Sequence, residues 1–254
     1  MALLNIFGSK KKKISAKTES NKIKKAEGRH KKAPEKQEKK SKPAVYTKKH
    51  LEKIPDEKAF ELLKKYRIPT PQQFFVKNES EIKTIVKRLK FPVVMKISGP
   101  VLHRTELGGI IKDINSEQAV FDAFKRLMKI KGCEKVIIQP QYSGIELIIG
   151  AKYTKEFGYV VSVGLGGIYT EILKDVALRV CPLSKTDAAV MVNELKGAEI
   201  LKGVRGKPIN LEALYDVIQN TSRLAVNEKI NQMDINPLFC DENGCYAVDV
   251  RIIK

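Results

Sequence analysis

Lysine and arginine crowd into the first fifth of this 254-residue chain, and that segregation confines folding to the remainder. Residues 1 to 53 hold 18 Lys and Arg against 5 Asp and Glu, a net +13 of the chain's +19, with Pro34, Pro43 and few apolar side chains after Phe7. Such a segment cannot bury enough surface to offset the entropy lost on ordering, so a disordered basic extension is expected. Its charge suits phosphate contacts with nucleic acid or, with Leu3, Leu4, Ile6 and Phe7 inserting, an anionic membrane surface. Residues 54 to 254 carry only +6 and supply the core of one folded domain. No apolar run approaches the ~20 residues of a membrane-spanning helix. Cys133, Cys181, Cys240 and Cys245 contain no CxxC pair, and His30, His50 and His103 lie far from them, so no zinc pattern arises. With no secretory leader pattern, reduced thiols in a cytoplasm are expected.

Within the folded part, Phe91 to Gly109 (FPVVMKISGPVLHRTELGG) is the most informative stretch. Phe91, Val93, Val94, Met95 and Ile97 read as a short buried strand, and Lys96 leaves it near its end, where an ammonium can meet a phosphate as a point charge. Gly99-Pro100 breaks the strand, and His103, Arg104, Thr105 and Glu106 occupy the polar loop before Gly108-Gly109. On the residues alone, a loop histidine such as His103 is more often a solvated surface residue than a catalyst, and Lys96 can be a strand-end lysine reaching water.

Helical and strand periods alternate around this stretch. Asp56 is expected to cap a helix presenting Ala59, Phe60, Leu62, Leu63 and Tyr66 on one face, and a second helix from Ser80 to about Leu89 leads into the lysine strand. A strand at 110–114 passes through Ser116, a cap, into a helix with Ala119, Val120, Ala123, Phe124, Leu127 and Met128 inward. Val136 to Gln141 and Leu147 to Ala151 read as strands joined through Ser143-Gly144, either a plain hairpin or a connection between lobes. Tyr159 to Val163 runs into Gly164-Leu165-Gly166-Gly167, a glycine cluster that is neither a Walker loop nor a Rossmann fingerprint. Ser184 and Asn210 are placed to start two further helices, the second running from Leu211 to about Asn227.

The chain closes on Met233-Asp-Ile-Asn-Pro-Leu-Phe-Cys240, a turn around Asn243-Gly244, and a return through Asp249. Asp234 and Asn236 share a strand face, and a hairpin can bring Asp249 beside it. Asp and Asn oxygens there form a hard site suited to Mg²⁺, which keeps waters and bridges phosphates.

Taken together, Pro55 to Lys254 resembles the beta subunit of ADP-forming acyl-CoA synthetases (acetate-CoA ligase, ADP-forming), whose domain has the two-lobed α+β ATP-grasp fold. The phrase ELLKKYRIPTP is similar to the opening of many such domains. His103-Arg104-Thr105-Glu106 resembles the family's H-K-[ST]-[DE] loop, in which the histidine relays a phosphoryl group, with Arg in place of Lys. The resemblance implies catalytic roles for His103 and Glu106 and a phosphate contact for Lys96. In relatives a second lysine often lies two places after the glycine pair; here that place is Ile111, and Lys112 follows. The segment from Gln139 to Glu146 has the spacing of the family's adenine hinge and ribose carboxylate, implying nucleotide contacts from Gln139, Gln141, Tyr142 and Glu146. Gly164 to Arg179 is similar to its glycine-rich block, implying contacts from Gly166, Gly167 and Arg179 and leaving Glu171 and Asp175 as site-lining charges of unassigned role. Gly203 to Pro208, with Arg205, is a loop the family shares. Asn236 and Asp249 fall where the family places its metal ligands. ATP or ADP with Mg²⁺ is thereby implied, as is a separate CoA-binding alpha subunit in a hetero-oligomer. Two other classes fit parts of the chain: a carboxylate-amine ligase of the same fold, which makes an acyl phosphate without His103, and a non-catalytic regulatory or nucleic-acid-binding protein whose tail is the function.

Overall fold

The computed structural model describes residues 52–101, 104–167, 175–204 and 206–254, which form two sheets with helices packed against them. The four-stranded sheet has the order β1-β4-β2-β3, from β1 (Phe74–Val76), β2 (Val93–Ser98), β3 (Ile110–Ile114) and β4 (Lys135–Pro140). Its strands sort their side chains between two cores. Val93, Met95, Ile97, Val136 and Ile138 pack under α2 (Glu79–Ile85) and α3 (Glu117–Met128), while Ile137 turns the other way into the larger core. Lys96 pairs with Ile137, and Val94 with Gln139, so Lys96 and Gln139 share Ile137's face, toward the second sheet.

The second sheet has the order β10-β8-β5-β6-β7 with β9 against β8, from β5 (Ile145–Thr154), β6 (Gly158–Leu165), β7 (Val176–Val180), β8 (Gln232–Cys240), β9 (Cys245–Ala247) and β10 (Val250–Ile253). Leu147, Ile149 and Ala151 of β5, with Val161, Val163 and Leu165 of β6, enter the large core beside α4 (Lys185–Asn193), the short α5 (Ala198–Leu201) and α6 (Leu211–Asn227). Alternation leaves Glu146, Ile148 and Gly150 on the opposite face. Three of the helices start where their caps require. Ser116 accepts from Ala119 N–H, Asn210 accepts from Ala213 N–H, and Ser184 with Asp187 closes a reciprocal capping box.

β4 and β5 belong to different sheets, so the connection through Ser143-Gly144 is a crossover between lobes and not a hairpin. Four sequence expectations are corrected. Asp56 does not cap α1 (Asp56–Lys65), which begins after Pro55; its carboxylate is buried and paired elsewhere. The second helix is shorter than expected, with Asn78 as its cap and a 3₁₀ turn at Val86–Arg88. Cys240 and Cys245, opposite each other across the β8–β9 turn, form a disulfide where reduced thiols were expected. Glu52 and Lys53 belong to the fold: Glu52 N–H donates to Lys254 O at 3.0 Å, Lys254 N–H returns to Glu52 O at 3.1 Å, and Lys53 bridges to Ile253. The remaining residues assigned to the extension, 1 to 51, lie outside the described residues. No helix among the described residues is long and apolar enough to cross a membrane.

Candidate nucleotide-binding cleft

One carbonyl ties the two sheets together at the cleft. Lys96 Nζ donates to Val248 O at 2.8 Å and Gln139 Nε2 donates to the same oxygen at 3.2 Å, joining β2 and β4 to the segment between β9 and β10. Lys96 is only 5% exposed, and burial pushes its pKa below the usual lysine value, with Asp249 pulling it partly back. Gln139 is also buried, and its Oε1 has no hydrogen-bond partner among the described residues. An unmatched buried acceptor is costly, and a ligand donor would satisfy it.

Beside them sits a compact charge group. Arg104, 8% exposed, places Nη2 2.5 Å from Asp56 Oδ1 and donates Nη1 to Asp249 Oδ1 at 2.9 Å. Ser98 Oγ donates to Asp56 Oδ2 at 2.7 Å, and Lys53 Nζ lies 3.0 Å from Asp56 Oδ1 while donating to Gly99 O. Arg104 and Lys53 therefore pair with two carboxylates, and Lys96 alongside brings the nearby cations to three. Burial works against the Arg104 charge, and Asp249 and Asp56 together outweigh it. Burial lowers the Lys53 pKa against the pull of Asp56.

Asn236 and Asp249 come together as the returning hairpin predicts, Asn236 N–H donating to Asp249 O at 3.1 Å. Asn236 is exposed and the Asp249 side chain is 21% exposed, so their oxygens face solvent. Asp234, the third oxygen residue of that reading, is paired with Arg251 at 2.8 Å. Among the described residues no group of three or more His, Cys, Asp or Glu forms a metal cage. Mg²⁺ does not require one, because one or two protein oxygens suffice when phosphates and water complete the octahedron. The Asn236 and Asp249 pair fits that demand.

Glu146 stands against the glycine pair. Gly166 N–H donates to Glu146 O, and a Cβ on Gly166 would lie 2.9 Å from Glu146 backbone and Cβ, so only glycine permits the approach. Gly167 follows at φ 62°, with its Cβ position 3.5 Å from Glu146 Oε2. Tyr142, in the crossover, packs on Tyr246 of β9 with ring centroids 4.8 Å apart.

The ATP-grasp domain family matches residues 47–253. The beta subunit of acetate–CoA ligase (ADP-forming) I from Pyrococcus furiosus is 39% identical over 206 residues, covering 77% of this chain and 89% of that one. The chain belongs to the ATP-grasp domains of ADP-forming acetate–CoA ligase beta subunits. Acetate–CoA ligase (ADP-forming) II from Archaeoglobus fulgidus is 40% identical over 194 residues, which are 76% of this chain and 29% of that longer one. The dinucleotide-forming acetyl-coenzyme A synthetase 1 of Ca. Korarchaeum cryptofilum was solved with coenzyme A and Mg-AMPPCP, its phosphohistidine segment pointing towards the nucleotide binding site. It matches with a TM-score of 0.70 at 33% identity, covering 80% of this chain and 92% of that one.

Within this ATP-grasp domain, two expected contacts, Arg179 and Gln141, and the site-lining charge Asp175 each have partners within the chain. Arg179 lies on edge strand β7, paired with Glu194, and lines an open apolar groove of about 620 Å³ with Tyr153, Phe157 and Val180. Gln141 is spent on Asp113, accepting its N–H at 2.8 Å and donating to its Oδ1 at 2.7 Å. Asp175 accepts the N–H groups of Lys196 and Gly197, both at 2.8 Å, which makes it a structural cap of the segment entering α5. Glu106 is exposed on the turn after Arg104. His103, Glu171 and Arg205 lie outside the described residues. Sequence reasoning missed Lys53 and the ion-pairing role of Asp56, whose partners are remote in the chain. Lys112, one place beyond the family's second lysine in sequence, lies by alternation along β3 on the same face as Ile110, the residue paired with Lys96.

Proposed function

We propose that this chain is the nucleotide-binding subunit of an ADP-forming acyl-CoA synthetase, catalysing with a CoA-binding alpha subunit acyl-CoA + ADP + phosphate ⇌ carboxylate + CoA + ATP. The observation that carries the reading is Lys96: a buried ammonium held at the junction of two sheets by a carbonyl, with no carboxylate in direct contact among the described residues. A phosphate is the natural counter-charge for such a group. The unmatched Oε1 of Gln139 supports a nearby adenine, whose amino group can donate to it, with the Tyr142 N–H as a donor to the ring and Glu146 accepting from the ribose hydroxyls. Gly166 and Gly167 let backbone approach the same ligand. Asn236 and Asp249 would hold Mg²⁺, which supplies charge neutralisation at the phosphates.

His103 is the phosphoryl carrier in this reading, supported by the His-Arg-Thr-Glu sequence and by the phosphohistidine segment of the Korarchaeum relative. An imidazole nitrogen takes the phosphoryl group; a terminal ADP oxygen then attacks phosphorus in line, the N–P bond breaks and ATP forms. Incubating the full chain with its alpha subunit, labelled ATP and Mg²⁺ should place acid-labile, base-stable label on His103. His103→Ala should lose label and acyl-CoA synthesis while retaining Mg-nucleotide binding. A His103→Ala enzyme with near wild-type acyl-CoA synthesis would refute the relay and favour a carboxylate-amine ligase chemistry.

A further inference from the structure

Arg104 has no assigned part in that chemistry, yet it ion-pairs with both carboxylates of the charge group. We infer that Arg104 is a positioning residue for the metal and nucleotide site: it holds Asp249 by Oδ1 and turns the other carboxylate oxygen toward Asn236. The inference rests on the reading of Asn236 and Asp249 as metal ligands.

Four observations carry it. First, Arg104 is itself immobile, because its second ion pair goes to Asp56, which is anchored by Ser98, Lys53 and the start of α1. Second, Arg104 takes Oδ1 of Asp249, and the remaining oxygen has no hydrogen-bond partner among the described residues. Third, the Asn236 N–H to Asp249 O bond fixes the two backbones, so the carboxylate torsion is what Arg104 settles. Fourth, the charges of Lys53, Lys96 and Arg104 against Asp56 and Asp249 sum to +1, complementary to the −1 of a magnesium–nucleoside diphosphate. A guanidinium fork can grip two carboxylates in fixed directions, which a lysine ammonium at the same place does less rigidly. Gly109 N–H donates to Arg104 O at 2.8 Å, so the turn from Arg104 to Gly109 is tied to the same unit. By reciprocity, a metal that favours the held Asp249 also favours the held turn.

The test uses the full chain, calorimetry with ADP in Mg²⁺ or in EDTA, and amide exchange read by mass spectrometry. Arg104→Gln should weaken Mg-ADP binding by about 10- to 100-fold, as loss of an outer-sphere partner does, and weaken metal-free ADP binding by a much smaller factor, through the lost positive charge alone. Arg104→Lys should recover part of the loss. In the wild type, Mg-ADP should slow exchange at Gly109, and ADP in EDTA should not. Equal weakening of metal-loaded and metal-free binding would reduce Arg104 to a structural role, and tighter Mg-ADP binding by Arg104→Gln would mean that it competes for Asp249; either overturns the inference. Should Arg104→Gln not fold, Arg104→Lys and the wild-type exchange decide, and unslowed Gly109 with Mg-ADP bound overturns it. Absence of Mg-ADP binding by the wild type is a different failure, removing the nucleotide site and this inference with it.

Discussion

Replacing Lys96 by methionine should move stability and function in opposite directions. Methionine nearly matches the lysine stem in length and volume, so packing in β2 is kept while a 5%-exposed ammonium is removed. Taking an ion out of water costs several kcal/mol even after relaxation. Against that, the Lys96 to Val248 bond is lost, a charged hydrogen bond of about 1.5–3 kcal/mol. Val248 O is not orphaned, because Gln139 still reaches it at 3.2 Å. The nearby charges act in both directions, Asp249 and Asp56 attracting Lys96 while Arg104 and Lys112 repel it. The balance favours the variant by about 1 kcal/mol, or a rise in Tm of ~2–4 °C for a domain of this size. Mg-ADP binding should weaken by the worth of one charge-assisted phosphate contact, ~1.5–3 kcal/mol, which is roughly 10- to 150-fold in Kd. Differential scanning fluorimetry and titration calorimetry on the same samples read both quantities. A variant that melts several degrees lower and binds Mg-ADP as tightly as the wild type would show that Lys96 is a structural tie between the lobes and not a ligand charge.

Two further predictions concern the ends of the fold. Glu228 accepts from Lys65, Tyr66 and Lys254, and the Lys65 bond followed by that of Lys254 holds its carboxyl down at about 2 from 4.5. A folded pKa below the unfolded one stabilises above pH 4.5 and loses that contribution as pH falls toward about 2. Because solvent screens these pairs, Glu228→Gln should cost only ~1 kcal/mol near neutrality, with the gap to wild type closing over that acid range in urea titrations; a gap independent of pH would refute the assignment. Deleting residues 1 to 51 removes 17 Lys and Arg with 4 Asp and Glu but keeps Glu52 and Lys53. Melting temperature and Mg-ADP affinity should be unchanged, while retention on heparin or anionic vesicles falls at low salt; a lower melting temperature would place part of the tail in the fold.

What could be read from the sequence was local. Ser116, Ser184 and Asn210 declare their helices because a cap needs only the next three residues, and β2 declares itself by its apolar run. The closeness of Asn236 and Asp249 follows from a turn at Asn243-Gly244 that hairpin geometry makes legible. The charge group does not declare itself. Arg104 meets Asp249 across 145 positions, and Asp56 reads as a helix cap until the fold turns it inward to Ser98 and Arg104. Arg179 matches a family block in order, and its pairing with Glu194 from edge strand β7 is not announced by its neighbours in sequence. The pairing of Gln141 with Asp113 is likewise visible only in space.

The reciprocal bonds between Glu52 and Lys254 make the folded unit a loop that closes on itself, its entry and exit strands lying side by side. A unit with adjacent ends behaves as a cassette: splicing it into a longer polypeptide, or cutting it free, asks nothing of its interior. That geometry accounts physically for how closely related sequences occur both as a separate subunit in Pyrococcus and as less than a third of one long chain in Archaeoglobus.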